Sequence, residues 1–297
     1  MLKNIFVLAV SLLLLSCTAH EELGSKDHPV QFALVPGQDA VVLSENGKLL
    51  ERWIQQQTGI YVKMHVPVNF IAVVEALGSQ RVDVAIMNPF GYILAHQKYK
   101  AEAFLMGVNR GRSEYWGQII TKNPRIRSLA DLNGKKFAFV DPASTSGYVL
   151  PAKLLKDAKV QLGEIVFAGK HDSVVTMVYQ GRVDAGATYH TPAEDGVPQD
   201  ARRLVISQFP DVYEKVRILE KTGSVPSDPV VFRKDFPVEL RNKIVDAMKS
   251  FSSTPEGEKA LKNLYHLTDF KDCTDKDYDH VRQILLDIGK NVQDLVK

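Results

Sequence analysis

Short apolar runs alternating with helix-length amphipathic stretches constrain this 297-residue chain more than any other feature it has. Residues 30–35, 61–66 and 82–87 read as strands. Between and after them, residues 48–57, 70–77 and 89–99 carry helical spacing, with Gly59 and Gly78 as stop signals and Pro89 in a first turn. Repeated βα punctuation calls for an α/β fold with a largely parallel sheet, because a parallel pair needs a crossover that a helix can supply.

The second part repeats the style. Residues 116–121, 137–140, 165–168 and 183–188 read as strands, and 147–156 and 173–180 as helices. A proline-punctuated extended segment follows at 226–232, after which the chain is mostly helical; Val281, Ile284, Leu285, Ile288, Val292 and Leu295 mark one packing face. We therefore expect two lobes, 29–115 plus 226–297 and 116–225, with crossings near Tyr115 and Pro226 as a two-strand hinge. The fold class expected is α/β, with two parallel-type sheets flanked by helices and a cleft between the lobes where ligands commonly bind.

The N-terminus carries a separate signal. Lys3 precedes an apolar stretch over 5–15, broken only by Ser11 and too short to span a hydrocarbon core of ~30 Å. It fits a signal peptide, and Leu14-Leu15-Ser16-Cys17 looks like a lipoprotein processing site. The expectation is a signal peptide over 1–17, a lipid on Cys17 and a tether over 18–28; an ordinary signal peptide with a chance cysteine is the alternative. With Cys17 lipidated, Cys273 has no partner, so no internal disulfide is expected.

A net charge of +2 gives no reason to expect nucleic acid as a partner, and leaves the lipid as the only membrane contact. Ser144 or Ser146, His171 and Asp184 supply the residue types of a hydrolytic triad, but no Gly-x-Ser-x-Gly elbow accompanies them. There is no phosphate-binding Gly-x-x-x-x-Gly-Lys-Ser/Thr loop and no zinc-like spacing of His and Cys. We expect no enzyme activity and no cofactor.

The chemistry concentrates in Phe137-Ala-Phe-Val-Asp-Pro-Ala-Ser-Thr-Ser-Gly-Tyr148. A strand runs into Asp141-Pro142, and Ser144, Thr145 and Ser146 fall where a helix should start. Hydroxyls there satisfy free backbone N–H groups, and the same N–H groups with the positive end of the helix dipole attract an anion. Capping alone and capping with anion binding both fit these residue types. Further strand-to-helix corners at Asn69-Phe70, Asn88-Pro89 and Lys170-His171 could complete a site, since ligands gather at the carboxyl ends of parallel strands.

Four segments together resemble the periplasmic solute-binding proteins of phosphonate and phosphite ABC transporters, the PhnD-like family. They are Asp141-Pro-Ala-Ser-Thr-Ser-Gly147, Ala168-Gly-Lys-His171, Pro226-Ser-Asp-Pro-Val-Val-Phe-Arg-Lys234 and Gln80-Arg-Val-Asp-Val-Ala85. Val183-Asp184 and Tyr115-Trp116 match as well. The resemblance implies a type II binding-protein fold and a monomer that closes on a phosphonate, phosphite or phosphate oxyanion. It implies delivery to an ABC permease and ATPase from the cell envelope, as an exported periplasmic or outer-surface lipoprotein. A sensor for an envelope signalling kinase, or a binder of another small oxyanion, is the alternative. By position, Ser144, Thr145, Ser146 and His171 would hold the oxyanion, with Asp228, Phe70 and Asn88 completing the shell. Phe70 stands where relatives often carry a ligand-contacting tyrosine, and Thr191 where aminophosphonate binders carry a second acid. Both departures point away from 2-aminoethylphosphonate.

Overall fold

The computed structural model describes residues 22–288, so the signal peptide with Cys17, residues 18–21 of the tether, and Val292 and Leu295 of the C-terminal stripe lie outside the described residues. The first sheet contains β1 (Val30–Leu34), β2 (Val62–His65), β3 (Val84–Ile86), β4 (Glu102–Val108), β10 (Pro229–Phe232) and β11 (Asp269–Asp272), in the order β11-β4-β10-β3-β1-β2. Its helices are α1 (Ala40–Thr58), α2 (Phe70–Gly78), α3 (Pro89–Tyr99), α7 (Val238–Ser252), α8 (Pro255–Tyr265) and α9 (Asp279–Ile288). The second sheet contains β5 (Glu114–Thr121), β6 (Phe137–Phe139), β7 (Ile165–Phe167), β8 (Ala185–His190) and β9 (Arg217–Pro226), in the order β7-β6-β8-β5-β9. With it go α4 (Leu150–Asp157), α5 (His171–Tyr179) and α6 (Val212–Lys215).

The sheets are mixed. The parallel pairing expected from the βα punctuation holds for β2-β1-β3 and β7-β6-β8. The strands beside them, β10, β4 and β11 in one sheet and β5 and β9 in the other, pair antiparallel. The physical reason is the double crossing. Strand β4 follows α3 and runs the same way as β3, but β10, which enters only when the chain returns, lies between them and is antiparallel to both; β5 likewise enters across the hinge without a βα crossover.

Both faces of the first sheet are buried, which explains its nearly continuous apolar strands. Val30, Phe32 and Leu34 of β1 pack with Leu43, Leu50 and Ile54 of α1, while Ala33 and Val35 turn toward Phe70, Val73 and Phe90 on the other face. Helix α1 begins earlier than its apolar spacing indicates, because Asp39 caps it by accepting from the Val41 and Val42 amides. Val41 and Val42 point outward, so no periodic stripe announces this first turn. The two crossings lie side by side, with Glu114 opposite Pro226 and the Ser227 amide donating to the Ser113 carbonyl at 2.9 Å.

Candidate functional site

The carboxyl ends of the parallel strands from both sheets meet around one cavity of about 110 Å3. A single water needs roughly 10–15 Å3 of such space, so the cavity suits a ligand of about ten non-hydrogen atoms or fewer. All seven cleft residues expected from the sequence line it: Phe70, Asn88, Ser144, Thr145, Ser146, His171 and Asp228.

Each corner is built locally. Asn69 and Asn88 cap α2 and α3 by accepting from the Ala72 and Gly91 amides. After β6, Asp141 accepts from the Ala143 amide at 2.8 Å and folds the chain into a turn. Residues Thr145–Val149 then form one π-helical turn that continues into α4. Ser144 caps it, its Oγ accepting from the Gly147 amide at 3.1 Å. Gly147 is required by contact: a Cβ there would stand 2.4 Å from Val140 Cγ2. The amides of Thr145 and Ser146 open the turn, where N–H groups have no partner within the helix. Such a helix start can receive an anion.

The three hydroxyls differ in role. Ser144 uses a lone pair on its cap and keeps its proton to donate. Ser146 lies beside the Tyr115 hydroxyl. Thr145 is fully buried; its hydroxyl donates to Asn88 Oδ1 at 2.8 Å and accepts from the Phe90 amide at 3.0 Å. Thr145 therefore ties the second sheet to the first, and only its amide remains for a ligand. Asn88 Oδ1 also receives the Gly91 amide at 2.9 Å, so Asn88 retains only its Nδ2 donors.

His171 opens α5 and is buried. The Tyr189 amide, which can only donate, points at His171 Nδ1 from 3.3 Å, and the Thr188 hydroxyl lies 2.8 Å from the same atom. Nδ1 is thus the acceptor and Nε2 carries the proton, the one donor the ring has left. Burial pushes the ring down to about 3, so this is a neutral donor at physiological pH. Its backbone also bridges the lobes, the His171 amide donating to the Gly37 carbonyl at 3.1 Å.

Asp228 does not cap the Ser227–Pro229 turn with its side chain. The Tyr115 hydroxyl reaches its carboxyl group, and Oδ1 is buried with no hydrogen-bond partner. Burial raises Asp228 to about 7 against the pull of Tyr115. The carboxyl group is therefore poised to accept from a protonated ligand oxygen or donate to an ionised one, whereas residue type alone suggests only an ionised acceptor.

The cavity also holds residues that sequence reasoning missed. Tyr115, Tyr189 and Tyr265 line it, Tyr265 donating to the Val35 carbonyl at 3.0 Å. So does Arg203, from a 3-10 turn (Ala201–Val205) whose other arginine, Arg202, is held by Asp200 at 2.8 Å. At the rim, Glu194 lies 3.0 Å from His266 and 3.3 Å from both Lys262 and Arg110. Among the described residues no cluster of three or more His, Cys, Asp or Glu could hold a metal ion, and no helix is long and apolar enough to cross a membrane.

A family model described as ABC transporter, phosphonate, periplasmic substrate-binding protein matches residues 32–278. The Phosphate-import protein PhnD of Mycolicibacterium smegmatis is 29% identical over 177 residues, 54% of this chain and 55% of that protein, so the match spans about half of that relative's length. The Phosphonates-binding periplasmic protein of Escherichia coli is 24% identical over 291 residues, 95% of this chain and 82% of that protein. Among solved structures, PhnD1 from Prochlorococcus marinus in complex with methylphosphonate superposes with a TM-score of 0.74 at 18% identity, covering 88% of this chain and 98% of that one. That likeness establishes the two-lobed binding-protein fold.

Proposed function

The chain belongs to the ABC-transporter phosphonate periplasmic substrate-binding family, and from that footing we propose that it captures a small phosphorus oxyanion between its lobes for an importer's permease and ATPase. The observation that carries this reading is the buried Ser144–Ser146 helix start, whose hydroxyls and amides open onto a cavity that the neutral His171 also lines. Donors of this kind surround a tetrahedral oxyanion without a full countercharge, and each bond is charge-assisted by the ligand. The bonds from Thr145 to Asn88 and from His171 to Gly37 support binding by lobe closure, because they join the lobes beside the ligand. We take the lobes as 29–115 plus 226–297 and 116–225, and the protein as a monomer that binds and does not turn over its ligand.

Phe70 and Thr191 in the cavity wall support a ligand without an amine: neither supplies a carboxylate for an ammonium group. Lipidation at Cys17 completes the proposal, holding the protein at a membrane surface. Titration calorimetry on protein lacking residues 1–17 tests the binding claim with phosphite, methylphosphonate, phosphate, 2-aminoethylphosphonate and sulfate. Stoichiometric binding of at least one of the first three, tighter than 2-aminoethylphosphonate, is expected; heat from none of them would refute it. Mass spectrometry of the full-length protein from membranes, with and without Cys17→Ser, tests the anchor.

A further inference from the structure

The cavity wall carries a second polar cluster, made of other residues than the Ser144–Ser146 helix start. Asp228 belongs with the helix start: its carboxyl group contacts Tyr115, and the Tyr115 hydroxyl lies beside Thr145 and Ser146. Arg203 sits against the Tyr189 hydroxyl, with Tyr213 and Glu194 as its further electrostatic neighbours. The Tyr189 ring in turn lies 5.0 Å from that of His171, so Arg203 reaches the cavity beyond the His171–Tyr189 pair.

Arg203 is half-buried and lacks the balance that a cation withdrawn from water needs. It makes no ion pair within 4.0 Å among the described residues, and its Nε is buried with no hydrogen-bond partner. The contrast with its neighbour is instructive. Arg202 is held by both Asp200 oxygens and by the Val216 carbonyl. Glu194, an acid whose charge acts on Arg203, is already shared among Arg110, Lys262 and His266. A buried guanidinium N–H left open is costly unless an anion or strong acceptor meets it, and a carboxylate matches the planar fork best.

We infer that Arg203 is a specificity-determining residue for the substituent of the bound ligand, and that the cavity prefers phosphonates whose carbon chain ends in a carboxylate. The inference rests on the proposed function, with the phosphorus oxyanion at the helix start and the carbon substituent directed toward Arg203. Val35 and Phe70, apolar residues in the cavity wall, would flank the chain. The same arginine repels an ammonium group, so it acts in the direction of Thr191 and Phe70.

Calorimetry at neutral pH with methylphosphonate, ethylphosphonate, phosphonoacetate and 2-aminoethylphosphonate, on wild type and Arg203→Met, tests this. In wild type, phosphonoacetate should bind about tenfold or more tightly than ethylphosphonate, and 2-aminoethylphosphonate more weakly than either. In Arg203→Met the phosphonoacetate preference should collapse to about threefold or less while methylphosphonate affinity holds. If that variant does not fold by thermal unfolding, Arg203→Gln, which keeps a donor without the charge, takes its place. Equal binding of phosphonoacetate and ethylphosphonate in wild type, or a preference that survives loss of the guanidinium, overturns this inference and leaves the oxyanion site standing. Failure of wild type to bind any of the four refutes both.

Discussion

Replacing Asp228 with asparagine should make the ligand-free protein increasingly more stable, relative to wild type, as pH rises from about 4 to about 7. The folded carboxyl is raised from 3.8 to about 7 because it is buried and its Oδ1 has no partner. The unfolded chain releases this proton near 3.8, while the folded protein keeps it until about 7. Between those values the folded state binds more protons, so the stabilising contribution is complete below the unfolded value and is lost as pH passes through the folded one. At about 1.4 kcal/mol per unit, the full shift is worth about 4 kcal/mol, and water entering an empty cavity lowers the expected span to about 2–4 kcal/mol. For a protein of this size that is about 5–15 °C in Tm. The asparagine carries its own packing and hydrogen-bonding cost, but that cost does not vary with pH. The assay is thermal or urea unfolding of ligand-stripped wild type and D228N at several pH values, and the quantity read is their difference. A difference that changes by less than about 0.5 kcal/mol across the window would refute the burial argument.

Four further outcomes follow from the same geometry. Thr145→Val leaves the Phe90 amide without its buried partner and Asn88 Oδ1 with only the Gly91 amide, and should cost about 1–3 kcal/mol in both unfolding free energy and ligand affinity; Ser146→Ala should cost a similar amount in affinity with little change in Tm, and calorimetry with unfolding scans separates the two. Gly147→Ala drives a methyl group to 2.4 Å from Val140 Cγ2, so unfolding curves should show a loss of about 1–3 kcal/mol, and an unchanged Tm would mean the turn is not tightly packed. Glu194→Gln removes a carboxylate shared across the rim with half-exposed Arg110 and Lys262, so ligand release in stopped-flow should quicken by about three- to tenfold, less so in high salt.

The residues that form strand-to-helix corners were the legible part of the site. Asn88, Ser144 and His171 stand two to five residues beyond the ends of β3, β6 and β7, where cap chemistry and apolar strand endings mark them together. What hydroxyls do once placed was not legible. Thr145 looks like its two serine neighbours in sequence, and only the approach of α3 turns its hydroxyl into a link between lobes. Arg203 was hidden more completely, because Arg202-Arg203 reads as a pair of solvated charges. The one local clue is Asp200, which accounts for Arg202 and leaves its neighbour over. Strand β9 escaped notice because it is an edge strand carrying Glu220, Lys221 and Thr222, the polar composition that edges use against aberrant pairing. The antiparallel halves of both sheets could not be read from βα spacing, since direction there depends on where the chain returns.

The segment entering β1 is pinned by backbone bonds: Gly24 donates to the His28 carbonyl, Tyr61 to that of Gly24, and Val30 to that of Tyr61. These lie at the amino ends of β1 and β2, whereas the cavity lies at their carboxyl ends. Whatever precedes Glu22 therefore departs from the far side of the lobe, about one strand length from the nearest cavity wall, some ~17 Å for five residues. For the lipid proposed on Cys17, this would set the point of attachment on the opposite side of the lobe from the cleft, leaving the ligand's route in and out clear of it.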